Sequence, residues 1–177
     1  MLAAMTARQS NLLGALAVAV GDRLDEAVTA EAERGGQAPA ALAVLAQQSG
    51  LSVEGLRRQL RLSQSATVRL VDGLVGDGLA TRREGVDRRS VEIRLTRLGR
   101  AKAEAVLSAR RAVLDDVLAT LTAGERAKLE RLLVQVLNGL TSDRIEAEQV
   151  CRLCDLGACP LISCPVELAV GAVDEPQ

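Results

Sequence analysis

The sequence predicts a mainly α-helical fold with one small β-hairpin, organised around residues 51–100. Two short amphipathic segments lie at the start of this stretch, and each is preceded by a serine that can cap a helix. Strict alternation of apolar and charged residues follows in Val91–Leu95, which is typical of a strand. Longer stripes of apolar residues at helical spacing flank the centre on both sides. These stripes exceed what one small domain can cover, so we expect two copies of the chain to pair.

The central helices have the pattern of a helix-turn-helix. Ser52 is expected to cap the first helix and Ser63 the second, Gln64–Gly76. In this geometry the second helix can enter the major groove of DNA, where polar side chains and a valine methyl can contact base edges. Taken alone, the pair is also compatible with ordinary helix packing. The side chains expected to contact DNA are Gln64, Ser65, Thr67, Val68 and Arg69.

A β-hairpin with a basic tip is predicted next, and it strengthens the nucleic-acid interpretation. Residues 79–83 form its first strand and Val91–Leu95 its second. Arg88 and Arg89 lie in the turn between them, where guanidinium groups suit phosphates or the negative potential of a minor groove. The alternative is a solvated charged turn.

At this point the chain resembles the MarR-type transcriptional regulators. The matching motifs are Leu-Ser-Gln-Ser at the start of the second helix, Arg-Leu-Val-Asp within it, Gly-Leu before the hairpin, Asp-x-Arg-Ser at its tip and Leu-Thr-x-x-Gly at its exit. The resemblance implies a winged helix-turn-helix in an obligate homodimer, with Arg88 and Arg89 near the minor groove. It also implies a small-molecule pocket between the dimer helices and the DNA-binding lobe. Gly73 departs from the family, in which a basic residue is common at this position.

Charge and composition agree with this interpretation and exclude other classes. Residues 57–111 carry 14 Lys/Arg against 6 Asp/Glu, whereas the remainder carries 8 against 17. A basic segment within an otherwise acidic chain indicates that one face of the protein binds double-stranded DNA. The chain has no His, the commonest acid–base catalyst, and no aromatic residue on which single-stranded bases could stack. We therefore expect a protein that is not an enzyme.

Helices are predicted on both sides of the central module. They span residues 6–33, 40–48 and 97–121, and a further helix begins after Thr122, which forms a capping box with Glu125. The expected organisation is an N-terminal dimerisation helix (1–36), a winged helix-turn-helix DNA-binding core (37–97), dimerisation helices (98–142) and a cysteine-containing tail (143–177).

The apolar run at residues 11–20 resembles the core of a signal peptide. It is too short to cross a membrane, and its apolar phase continues into the predicted first helix. We therefore expect a cytoplasmic protein without membrane contact.

The tail contains every cysteine of the chain, in a C-x2-C-x4-C-x4-C pattern: Cys151, Cys154, Cys159 and Cys164. Four thiolates are a complete ligand set for an iron–sulfur cluster or for a tetrahedral Zn²⁺ ion. Zinc sites usually use two Cys pairs separated by a longer loop, so one compact run with Pro after the last two cysteines favours the Fe–S cluster. Zinc, metal-free thiols and disulfides remain alternatives.

Together these observations predict a sequence-specific regulator that binds double-stranded DNA as a homodimer. We expect a repressor that senses redox state or iron through an Fe–S cluster ligated by the four cysteines. The alternatives are a Zn-stabilised or small-molecule-responsive regulator of the same fold and a thiol or Fe–S redox protein. No dinucleotide-binding glycine motif supports the last of these.

Overall fold

The computed structural model describes residues 7–85, 91–159 and 161–171, which form a helical scaffold with one small sheet. The predicted mainly α fold with a hairpin wing is confirmed. Strands β1 (Leu51–Ser52), β2 (Ala80–Glu84) and β3 (Val91–Leu95) form an antiparallel sheet in the order β1–β3–β2. Within the described residues the helices are α1 (Ala7–Ala32), α2 (Ala38–Gln47), α3 (Val53–Leu60), α4 (Gln64–Gly76), α5 (Arg97–Leu118), α6 (Ala123–Gly139), α7 (Arg144–Val150) and α8 (Pro165–Ala169).

Helix α2 lies at the centre of the molecule. Its residues 38–45 are all buried, and it packs against α1, α3, α5 and β3. A helix that is apolar on all sides must be covered on all sides, and α2 carries no charged residue. Because the chain has no aromatic residue, aliphatic side chains fill the core. The largest fully buried ones are Leu42, Leu56, Leu74, Ile93, Val71 and Val106.

The turn between α3 and α4 is held by the predicted caps. The Gly55 N–H donates to Ser52 Oγ at 3.0 Å, and the Ala66 N–H donates to Ser63 Oγ at 3.2 Å. Between the helices Arg61 adopts a left-handed conformation with φ of 55°, which is uncommon outside glycine. This conformation ends α3 and directs the chain into α4.

The wing is anchored at its base by the motif that follows β3. Ala80 pairs with Leu95, and Thr96 Oγ1 donates to the Gly78 carbonyl at 2.7 Å while accepting from the Gly99 N–H. A Cβ on Gly99 would lie 1.9 Å from the carbonyl oxygen of Leu79. Glycine is therefore required at this position for α5 to start against the base of the wing.

The tail is more ordered than a loop. Helices α7 and α8 and a 3₁₀ turn at Leu161–Ser163 fold it against α6. Ala147, Cys164 and Val166 form a second, smaller core, against which Leu137 of α6 packs. Leu153 packs on the main core, so the cysteine segment bridges the two.

Two helices present apolar side chains to solvent. No residue of α6 is buried, and Leu132 and Leu140 are 58% and 64% exposed. On α1, Leu12, Leu13 and Leu16 are each more than half exposed. Within the described residues no helix combines the length and hydropathy needed to cross a membrane.

Candidate functional site

One face of α4 is free for recognition because the other face is fixed by the core. Val71 and Leu74 are fully buried, and they turn Gln64, Ser65, Val68 and Arg69 towards solvent. These four exposed side chains carry an amide, a hydroxyl, two methyl groups and a guanidinium, respectively. These are the groups that distinguish base edges in a major groove.

Thr67 is a correction to the predicted set of DNA contacts. Its side chain is fully buried, and its hydroxyl donates to the Ser63 carbonyl at 2.9 Å. A threonine one turn after the cap can satisfy its own hydroxyl on the preceding turn, and its methyl group then faces the core. The expectation that Thr67 contacts DNA is therefore wrong, although its neighbours on both sides are exposed.

The wing is tied to α4 by an ion pair. Arg82 Nη2 of β2 lies 2.6 Å from Asp72 Oδ1 of α4. The pair joins the hairpin to α4 and partly neutralises the Asp72 carboxylate beside the exposed helix face. The predicted wing contacts Arg88 and Arg89 lie outside the described residues.

Arg34 is a basic residue at this surface that sequence reasoning missed. Its Nε and Nη2 lie 2.9 Å and 2.5 Å from Asp77 Oδ2, just after the end of α4. Its guanidinium also covers Gly73, where an added Cβ would lie 2.8 Å from Arg34 Nη1. The turn after α1 thus brings a positive charge next to Gly73. No local sequence pattern predicts a contact between Arg34 and Asp77, which are 43 positions apart.

Three of the four cysteines meet in the second core, where Cys164 is buried and Cys151 and Cys159 pack against it. Cys154 lies near enough to Cys151 for each thiol to shift the pKa of the other. None of the four forms a disulfide, and Cys164 is buried. Across the described ranges, however, no three Cys, Asp or Glu side chains are arranged to hold a metal ion. The chemistry of the donors fits a soft metal, but the thiols would have to rearrange to ligate one.

The environment makes the thiols unequal. The hydrogen bond from Cys151 lowers the pKa of Cys154, an effect that burial opposes and the nearby Arg110 supports. The same bond raises the pKa of Cys151 above its ordinary value. Burial, followed by the bond with Cys164, raises the pKa of Cys159 to about 11. Of Cys151, Cys154 and Cys159, only Cys154 has a pKa below its ordinary value.

Comparison with known proteins agrees with this geometry. Residues 35–90 match the family model described as "MarR family". No curated protein matches the sequence. A solved MarR family protein from Bacillus stearothermophilus is 28% identical, with a TM-score of 0.65 over 73% of this chain and 91% of that one. Wild-type MarR from E. coli, in its apo form, is 26% identical, with a TM-score of 0.58 over 71% and 96%.

A third structure shares the fold at lower identity. It is a point mutant of S. aureus MepR bound to an oligodeoxyribonucleotide, 20% identical, with a TM-score of 0.56 over 75% of this chain and 98% of that one. The matches leave about a quarter of the present chain uncovered. The core of this chain is therefore similar in sequence and fold to winged-helix proteins of the MarR family.

Proposed function

We propose that this chain is a cytoplasmic, homodimeric repressor that binds specific sequences of double-stranded DNA and responds to the state of its cysteines. The observation that carries the proposal is the exposed face of α4, with Gln64, Ser65, Val68 and Arg69 presented beside a wing that the Arg82–Asp72 pair fixes. A recognition helix with an adjacent hairpin can contact the major groove and the neighbouring backbone at once.

Pairing of two copies is supported by the uncovered helices. The exposed leucines of α1 and α6 lie on helices that flank the winged module in sequence, and a monomer leaves them in water. Burial of apolar area contributes about 25 cal/mol per Å², so an interface that covers these leucines would stabilise the paired state. The expected mass in solution is that of a dimer.

Base recognition is tested at Val68, the exposed aliphatic residue of α4. We expect Val68→Ala to change the preferred sequence, with roughly a tenfold change in the affinity ratio between two duplexes that differ at one base pair. Val150→Ala is the matched control, because Val150 is 40% exposed, close to the 38% of Val68, but lies on α7. An unchanged sequence preference in Val68→Ala would remove α4 from the recognition surface.

Phosphate contact by the wing is tested by Arg89→Ala. We expect weaker binding to selected and random duplexes alike, and a salt dependence of affinity whose slope falls by about 1. Arg8→Ala, which removes an equal charge from α1, should leave the slope unchanged. Equal slopes for wild type and Arg89→Ala would contradict the contact.

At the cysteines we propose an Fe–S cluster held by Cys151, Cys154, Cys159 and Cys164. The thiol contacts among the four support a shared site, and their compact spacing supports a cluster over a lone zinc ion. Such a cluster would supply reversible one-electron chemistry. The protein lacks Trp and Tyr, so a visible chromophore would dominate the spectrum of protein purified without oxygen. A colourless protein with bound zinc, or with no metal at all, would overturn this assignment.

A small-molecule effector is a further partner that we propose for the scaffold. An apolar groove of about 690 Å³ lies between α6 and the cysteine segment, with Leu133, Leu137 and Cys159 in its wall. Its volume is within the range of small-ligand sites. Soaking or titration with apolar compounds should change the reactivity of Cys159 if the groove binds them.

A further inference from the structure

Gln47, at the end of α2, holds the cysteine segment by its backbone. Its Nε2 donates to the carbonyl of Cys154 at 2.9 Å, and its Oε1 accepts from the Leu156 N–H at 2.6 Å. The same Nε2 also donates to Ala43 within α2 at 3.1 Å. A primary amide can donate and accept at once, whereas a carboxylate lacks the donor and alanine lacks both. The side chain therefore fixes residues 154–156 to α2 through two opposite polar groups.

Helix α2 connects this contact to the DNA-binding helices. Gln48, the next residue, exchanges side-chain hydrogen bonds with Gln59 of α3 at 2.8 and 3.4 Å. A second link joins the tail to α3 directly, because Gln149 Nε2 donates to the Arg58 carbonyl at 3.1 Å. Helix α3 in turn packs on α4. A displacement of residues 154–156 therefore reaches the recognition helix through two packed helices.

The opposite side of the segment is fixed to the long helix α5. Asp155 forms an ion pair with Arg111, and the Gly157 N–H donates to Asp155 Oδ1 at 3.0 Å. Residues 149–157 thus span from the DNA-binding helices to α5.

We propose that Gln47 is the positioning residue through which the state of the cysteines controls DNA affinity. This inference rests on the proposed function and names the contacts that connect the cysteines to the DNA-binding helices. Cys154 carries one of the four thiols, and its carbonyl accepts a hydrogen bond from Gln47. Joining Cys151 and Cys154 draws their sulfur atoms from non-bonded contact to about 2.05 Å. Bonds of 2.6 and 2.9 Å have little room to stretch before they are lost, so a shift of this kind releases Gln47.

The test compares Gln47→Ala with Gln37→Ala in the full chain. Gln37 is the matched control because it precedes the opposite end of α2, where its side chain makes no capping hydrogen bond. Each protein is measured reduced and after treatment with diamide, which takes two hydrogen atoms from two thiols, leaves a disulfide and becomes a hydrazine. Affinity for a selected duplex is measured by fluorescence anisotropy, and backbone hydrogen exchange is followed in α3 and at Leu156.

We expect diamide to weaken duplex binding at least about five-fold in wild type and in Gln37→Ala. In Gln47→Ala the two states should differ by less than about two-fold, because residues 154–156 are no longer bound to α2. The Leu156 amide should exchange faster in reduced Gln47→Ala than in reduced wild type. A purely structural role would lower thermal stability without abolishing the response to diamide.

Each other outcome is decisive. A full diamide response in Gln47→Ala, or a wild type that binds duplex equally well in both states, overturns the inference. A wild type that binds no duplex refutes the proposed function instead, and hydrogen exchange then decides on Gln47. Diamide should change hydrogen exchange in α3 of wild type and Gln37→Ala but not of Gln47→Ala. Equal changes of hydrogen exchange in all three proteins would show that Gln47 does not connect the cysteines to α3.

Discussion

Adding one methyl group at Gly99 should break the joint between the wing and α5. The new Cβ would lie 1.9 Å from the carbonyl oxygen and 2.9 Å from the carbonyl carbon of Leu79. A carbon and an oxygen in contact are about 3.3 Å apart, so the two backbones must separate by roughly 1.4 Å. Neither atom belongs to a flexible side chain that could move aside. The start of α5 or the base of β2 must therefore shift.

The cost of Gly99→Ala follows from the contacts at this joint. Overpacking of a rigid site costs about 1–3 kcal/mol. The shift also endangers the bond from the Thr96 N–H to the Leu79 carbonyl, 2.9 Å long, and the Thr96 cap of α5. Each of these contributes about 1 kcal/mol. The expected loss is about 3–5 kcal/mol, a large part of the roughly 5–15 kcal/mol that stabilises a typical domain.

Urea unfolding, followed by circular dichroism at fixed protein concentration, measures this loss. Gly76→Ala is the control, because a Cβ at Gly76 meets nothing within 4 Å. We expect a lower midpoint with an unchanged slope for Gly99→Ala, and a change within about 1 kcal/mol for Gly76→Ala. A destabilisation of Gly99→Ala below about 1 kcal/mol would refute the close approach of α5 to the wing.

Three further predictions concern α4 and α6. Gly73→Ala should stabilise the protein by about 0.5–1 kcal/mol in urea unfolding, because the new methyl group meets only the movable end of Arg34. A net loss would show that Arg34 cannot move aside. Thr67→Val should cost about 0.5–1.5 kcal/mol and leave the preferred DNA sequence unchanged, because the hydroxyl bonds to the helix backbone; an altered preference would restore Thr67 as a DNA contact. Hydrogen bonds from Thr122 lower the pKa of Glu125, so its stabilising effect is present above the unfolded pKa and is lost as pH falls through the folded value. The stability difference between wild type and Glu125→Ala should therefore shrink between neutral and strongly acidic pH, and a constant difference would contradict the capping box.

Local sequence patterns were sufficient to predict helices and one strand of the central module, and the start of α6. Sequence predicted α4 at its observed bounds because a cap at Ser63, a regular apolar stripe and a glycine-rich end all lie within it. The capping box of α6 was equally local, since Thr122 and Glu125 are three residues apart. The second wing strand was predicted at its observed bounds by alternation alone.

Features that depend on distant contacts were missed. Strand β1 has two residues, too few to show a period, and it exists because Leu51 pairs with Ile93. Arg34 reaches Asp77 across 43 positions, and Gln47 reaches Leu156 across 109. The burial of Thr67 depends on the rotation of α4 about its own axis. That rotation is set by where Val71 and Leu74 meet the core, and composition does not specify it.

The left-handed arginine between α3 and α4 has a consequence for how this module tolerates change. Holding a side-chain-bearing residue at a φ of 55° costs on the order of 1 kcal/mol compared with glycine. The exposed guanidinium stands at the C-terminal end of α3, where a helix dipole favours a cation. Glycine here would relax the corner but discard that charge. At this residue, therefore, a change that relaxes the backbone also removes a positive charge from the surface.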